Sequence, residues 1–162
     1  MGNVIMGVDP GIALTGWGLI EDMGGNNYRR VNSGCIKTDK NLEHMERLKV
    51  IHSSIVDVIW QYQPSAFALE NVFFNKNTRT ALMVGEARGV IMLGAALSEI
   101  SVFHYTPLQV KSSVSGDGRA DKLQMQKMVG ILLRLNDFFK YDDEADALAV
   151  ALCHLQHMKM AF

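Results

Sequence analysis

Four acidic residues in this chain stand where an isolated charge is hard to explain. Asp9 closes the apolar run that begins at Val4, and Glu70 closes another that begins at Ala66. Asp143 and Asp146 lie three residues apart in Tyr141-Asp142-Asp143-Glu144-Ala145-Asp146, where four acids fall within five residues. A carboxylate ending a buried strand is costly to desolvate alone and needs a hydrogen-bond donor, a basic group or a cation. One or two acids in a first helical turn are accounted for by the helix dipole, and four exceed that need. Converging carboxylates raise one another's pKa unless oxygen-bound divalent ions neutralise them. An all-carboxylate set is hard and suits Mg²⁺ or Mn²⁺ rather than zinc. Two such ions about 3.5–4 Å apart form a clamp for in-line displacement at phosphorus, one activating water and the other stabilising the leaving oxygen.

The acids converge only if the elements around them are arranged to bring them together. Val4 to Asp9 reads as a strand, Pro10-Gly11 as a turn, and Ala13 to Ile20 as a second strand whose Gly16 and Gly18 clear one face for a packed helix or a phosphate backbone. Met23 to Asn27 is a turn, and Tyr28 to Ile36 returns as a third strand, making an antiparallel meander. Asp39-Lys40-Asn41 offers an N-cap for a helix with Leu42, Met45, Leu48, Ile51, Ile55 and Ile59 on its buried stripe, stopped by Pro64. Ala66 to Val72 follows as a strand. Strand, helix and strand make a crossover whose usual product is parallel pairing, and that places Asp9 and Glu70 at one sheet edge.

From Thr80 to Ile100 a long helix runs through Gly85, Gly89 and Gly94, which implies close packing against the sheet or a second subunit. Ser101 to Tyr105 is the fifth strand. Leu108 to Val114 is a short helix carrying Lys111, Asp121 caps a helix over Lys122 to Leu135, and the last helix covers Asp143 to Met160. Asp143 and Asp146 share a face of that helix, with Ala145, Ala147 and Ala149 keeping the neighbouring bulk small.

The 162 residues are the size of one ordinary domain, and 48% hydrophobic content with 20% charged residues is globular. A net charge of −1 gives no global pull toward nucleic acid, but setting the four acids aside leaves a basic excess. No apolar run approaches the roughly 20 residues needed to span a bilayer and no secretory leader is present, so a cytoplasmic location is expected. Cys35 and Cys153 read as buried free thiols. His154 and His157 beside Cys153 suggest a soft metal site or plain packing, and packing is the ordinary reading. Phe73-Phe74-Asn75-Lys76 is either a loop whose rings fold into the core or an aromatic wedge beside phosphate-binding cations. Lys111 and Lys122 on their own need no role beyond surface charge.

Taken together, Gly7-Val8-Asp9-Pro10-Gly11, Leu69-Glu70-Asn71-Val72-Phe73, Gln109-Val110-Lys111, Lys122 and Asp143-Glu144-Ala145-Asp146-Ala147-Leu148-Ala149 resemble the RuvC family of Holliday-junction resolvases, the crossover junction endodeoxyribonucleases. The match runs in order over almost the whole chain. It implies one ribonuclease H-like α/β nuclease domain over residues 1–162, with a five-stranded mixed sheet, its first three strands antiparallel, flanked by helices. It implies a homodimer that binds a four-way DNA junction and resolves it by paired symmetric nicks in homologous recombination and repair. Mg²⁺ is the implied cofactor, two ions per site, with Mn²⁺ able to substitute, and a junction-binding and branch-migration complex is an implied partner.

On that pattern Asp9, Glu70, Asp143 and Asp146 are the metal-binding catalytic acids. Phe73 is the ring that stacks at the junction centre, Lys111 and Lys122 lie near the scissile phosphate, and Phe74 and Lys76 are further DNA contacts. With a net charge near zero and no basic tail after the last helix, DNA affinity is expected to rest on a local basic surface assembled across the dimer and to weaken steeply with salt. The competing readings are a non-catalytic junction-binding scaffold, or a related ribonuclease H-like nuclease with another nucleic-acid substrate.

Overall fold

The structure is a computed structural model that describes residues 3–71, 78–136 and 139–160. Strands β1 (Val4–Asp9), β2 (Leu14–Asp22) and β3 (Tyr28–Lys37) form the antiparallel meander. Helix α1 (His44–Tyr62) crosses over to β4 (Ala66–Glu70), and α2 (Thr78–Leu97) to β5 (Val102–Tyr105). Both crossovers yield parallel pairs, β1 with β4 and β4 with β5, and the sheet order is β3-β2-β1-β4-β5. Helices α3 (Pro107–Ser115), α4 (Lys122–Leu132) and α5 (Asp142–Met160) complete the chain.

Strand side chains alternate between faces, so the sheet supports two cores. Met6, Val8, Leu19, Phe67 and Leu69 meet Ile51, Ile55 and Ile59 of α1 and Ala87, Ile91 and Ala95 of α2. On the other face Ile5, Ile20, Ala66 and Ala68 meet α5, which is backed by Val110 and Val114 of α3 and by Met125 and Val129 of α4. Capping boxes start both α3 and α4, the second at Asp121 as the sequence suggests. The Thr106 side chain accepts from Gln109 N and Asp121 from Gln124 N, and each glutamine side chain accepts from its cap residue's N–H in return.

Three expectations are corrected. Helix α1 begins at His44 rather than at an Asp39–Asn41 cap, because Asp39 Oδ1 accepts from Asn41 N at 2.9 Å and closes a turn of its own. Leu42 lies ahead of the helix and Met45 in its first turn, and both are exposed, at 42% and 79%. Of the two packings expected for the glycine helix, the one against the sheet fails at Gly85 and Gly89, where a built Cβ meets no described atom within 4 Å, whereas at Gly94 it meets Val56, His52 and Ile55 of α1. Over Arg79–Leu97, α2 also has the length and composition to cross a membrane, with hydropathy 1.4. Ala87, Ile91 and Ala95 instead anchor one side of it in the core, while Leu82, Leu93 and Leu97 remain exposed on the other.

Candidate active site

The sheet brings the first two acids together. Strands β1 and β4 are parallel with Val8 opposite Leu69, so Asp9 and Glu70 emerge side by side at the C-terminal edge. The other two arrive because α5 lies unusually close to the meander. A Cβ at Gly7 would fall 2.1 Å from the Ala147 carbonyl oxygen, at Gly16 1.9 Å from that of Asp143, and at Gly18 2.5 Å from the Leu148 side chain. Gly16 pairs with Asp9 across β1 and β2, so the missing side chain at Gly16 lets the first turn of α5 rest beside Asp9. Ala147 and Ala151 meet Gly7 in this contact, and both are fully buried. The strand glycines therefore serve helix packing, and that packing sets Asp143 and Asp146 at the acid edge.

The electrostatics follow from this placement. Asp9 keeps a little exposed surface but is enclosed deeply enough that its carboxyl is raised well above the usual range, by burial first and then by Asp146, Glu70 and Asp143. Glu70 is pushed up to about 7, by burial and then by Asp146, against the opposing charge of Lys111. Asp146 is also raised by burial, with Lys122 acting against the shift. Among the described residues no three His, Cys, Asp or Glu side chains are gathered tightly enough to grip one ion as they stand. The donor set nevertheless suits a hard divalent cation. It is all carboxylate oxygen, and a positive charge among the acids relieves repulsion felt by at least three of them.

Both expected lysines border this edge. Lys122 Nζ pairs with Asp142 at 2.8 Å and approaches Asp146 at 4.0 Å. Lys111 lines, with Lys122, Glu70, Asp146, Pro107, Val110, Met125 and Ala149, an open cleft of about 240 Å³. Phe73, Phe74 and Lys76 lie outside the described residues.

Other contacts at this edge carried no sequence signal. Gln126 Nε2 donates to Asp142 at 2.7 Å, and Ser33 Oγ donates to Glu144 at 2.6 Å. Behind Glu70, Arg88 of α2 donates to Asn71 Oδ1 at 3.0 Å and to His104 Nδ1 at 2.8 Å. Cys35 is only half-buried, contrary to expectation, and lies near the end of β3 opposite Gly16, beside the acids. Burial and the charges of Asp143, Glu144 and Asp9 push its thiol up to about 11. His154 packs between Phe103 and Tyr105, its Nδ1 bonded to the Tyr105 hydroxyl at 2.7 Å, and His157 Nδ1 lies 2.9 Å from the Cys153 carbonyl oxygen.

Known proteins are similar to this chain over nearly its whole length. The family model for crossover junction endodeoxyribonuclease RuvC matches residues 5–154. A crossover junction endodeoxyribonuclease RuvC from Halothermothrix orenii is 52% identical over 151 residues, 93% of this chain and 91% of that one. Its counterpart from Pelotomaculum thermopropionicum is 53% identical over 154 residues, covering 95% and 93%. Among solved structures, T. thermophilus RuvC in complex with Holliday junction substrate superposes with a TM-score of 0.93 at 33% identity, covering 98% of this chain and 96% of that one. The fold is thus ribonuclease H-like, and a divalent-metal requirement follows from the kind of nuclease matched. With its β1 and β4 acids at one sheet edge and α5 laid across Gly7, Gly16 and Gly18, the chain belongs to the RuvC family of crossover junction endodeoxyribonucleases.

Proposed function

We propose that this single-domain protein is a Mg²⁺-dependent endonuclease of the cytoplasm that resolves four-way DNA junctions by paired, symmetric nicks, using Asp9, Glu70, Asp143 and Asp146. The observation that carries this reading is the mutual electrostatic burden of those acids at one sheet edge, with Asp9 raised by three like charges as well as by burial. Two Mg²⁺ ions held there would supply an activated water and a counter-charge for the leaving 3′-oxygen. The chain's own contribution is placement. Asp9 and Glu70 are fixed by strand register, Asp143 and Asp146 by one face of α5, and rotation of their side chains completes the ligand set.

Lys111 and Lys122 offset phosphate charge beside the cleft, and Lys122 exchanges its Asp142 partner for the DNA backbone as substrate arrives. Phe73 is assigned to stacking at the junction centre, with Phe74 and Lys76 as accessory contacts. A homodimer supplies the second active site, and the exposed α2 stripe of Leu82, Leu93 and Leu97, open at Gly85 and Gly89, supports a dimer face there. Delivery by a junction-binding and branch-migration complex belongs to the same reading.

The test compares a mobile four-way junction with linear duplex in Mg²⁺, cut sites being mapped on denaturing gels. Paired symmetric nicks confined to the junction are expected. Glu70→Gln and Asp146→Asn should bind the junction and cut it more than about 100-fold more slowly. Equal cutting of both substrates, or undiminished cutting by both variants, would overturn the reading.

A further inference from the structure

We propose that Lys37 and Lys140, gathered on the ring of Tyr141, form a second phosphate-binding site that holds the DNA backbone on the β3 flank of the acid edge. The proposal rests on the junction-cleaving reading above and extends it to residues with no role in that reading. Strand β3 is antiparallel to β2, and β2 to β1, so β3 runs in the direction of β1 and β4 and ends at the same edge. Lys37 is its last residue. With neighbouring strands about 4.8 Å apart, β3 lies two spacings, about 10 Å, from β1 and its Asp9. The order along the edge is therefore Lys37, Asp9, Glu70, and then Lys111 on the helix that follows β5. The acids sit in the middle, with a cation on each side.

Alternate residues of β3 follow the start of α5. Ser33 bonds Glu144, the Cys35 thiol feels Asp143 and Glu144, and the Lys37 ammonium lies 4.4 Å from the Tyr141 ring centroid. Lys140 brings a second ammonium to 5.5 Å from the same centroid. Both lysines are exposed, and no described carboxylate pairs with either, although Asp142 and Asp143 directly follow Tyr141. Two like charges held by one tyrosine, through its ring and through hydrogen bonds to its hydroxyl, leave an uncompensated positive spot, because neither the quadrupole nor a neutral phenol neutralises a cation. Lys122 on the opposite flank, by contrast, is already engaged by Asp142 and Asp146.

A DNA strand crossing the acid edge carries phosphates on both sides of the scissile one. On the α5 side it would meet Asp143 and Glu144, which repel it unless a cation stands there. Lys37 and Lys140 supply that charge, and with Lys111 and Lys122 they hold the strand at both ends over the acids.

The test measures junction binding against salt, in a Glu70→Gln background so that no strand is cut, with junctions carrying single neutral methylphosphonates near the cleavage site. Lys37→Ala/Lys140→Ala should weaken binding about 10-fold at 0.1 M salt and reduce the slope of log Kd against log salt by roughly 1 to 2. Neutralising one phosphate beside the cut should weaken the parent by a similar factor and the double variant hardly at all. That coupling would not arise from a loss of stability. Lys49→Ala, on α1 and paired with Glu46 at 3.6 Å, should change neither quantity. A double variant that keeps the parental slope and remains as sensitive as the parent to every neutral phosphate overturns the site. If the wild type cuts junctions while the double variant binds normally, this proposal alone fails. If the coupling appears but the wild type does not cut, the nuclease reading fails and the phosphate site stands.

Discussion

Glu70 shows what the proposed acid site costs the fold. Its carboxyl stands at about 7 against an ordinary 4.5, raised by burial and then by Asp146. The folded protein therefore binds more protons than the unfolded chain between those values. Stability from this group is fully present below about pH 4.5, declines as pH rises, and is lost above about 7. Converted directly, the shift is worth on the order of 3 kcal/mol, an upper bound because the group is partly exposed. Asp9 acts in the same direction. Urea unfolding of metal-free protein should show stability falling from pH 4.5 to 7.5, and Glu70→Gln should flatten the fall. Millimolar Mg²⁺ should restore stability at pH 7.5 in the wild type and less in the variant. An unchanged pH slope in Glu70→Gln would mean that this carboxyl titrates normally.

Among the elements, the contact between α5 and the meander positions the site, and three glycines make it. Gly16→Ala would place a methyl 1.9 Å from the Asp143 carbonyl oxygen and Gly7→Ala one 2.1 Å from that of Ala147, and a helix backbone yields only by moving as a whole. Each should destabilise the protein by about 1–3 kcal/mol by overpacking. Gly16→Ala should also reduce junction cleavage under conditions where the protein remains folded, because the displaced turn carries Asp143. Gly130→Ala in α4, where nothing lies within 4 Å of the new methyl, should instead raise the melting temperature slightly, by up to about 1 kcal/mol of helix propensity. Calorimetry on the three variants would check both signs. Equal melting temperatures for Gly16→Ala and wild type would show that α5 does not rest on β2 as described.

For the whole molecule, paired nicking requires two sites held at a fixed separation. In the proposed dimer the exposed α2 stripe would hold them, with Leu82 at 63%, Leu93 at 51% and Leu97 at 69% exposure. On that proposal, Leu93→Glu should convert the dimer to a monomer in light scattering. Its own fold should change by no more than about 0.5 kcal/mol, as is usual for an exposed position. Nicks made by the monomer should then be unpaired. A Leu93→Glu protein that remains dimeric would place the interface elsewhere.

The sequence by itself determined what depends on local pattern. Continuous apolar runs ending in Asp9 and Glu70, the surplus of acids at Asp142 to Asp146, and the cap at Asp121 each lie within a few residues, and those elements formed where the signals placed them. The Asp39 cap failed for an equally local reason, since its side chain closes a turn on Asn41 instead. What the tertiary structure decided depends on strand order and register. Gly16 could be read as clearing a face, but only the approach of α5 shows that Asp143 fills it. The Arg88 bond to Asn71, the Ser33 bond to Glu144 and the placement of Lys37 over Tyr141 join residues 17, 111 and 104 positions apart. No periodicity encodes such meetings. The last two arise because β3 follows the direction of β1 to the acid edge and α5 settles closely enough to face it.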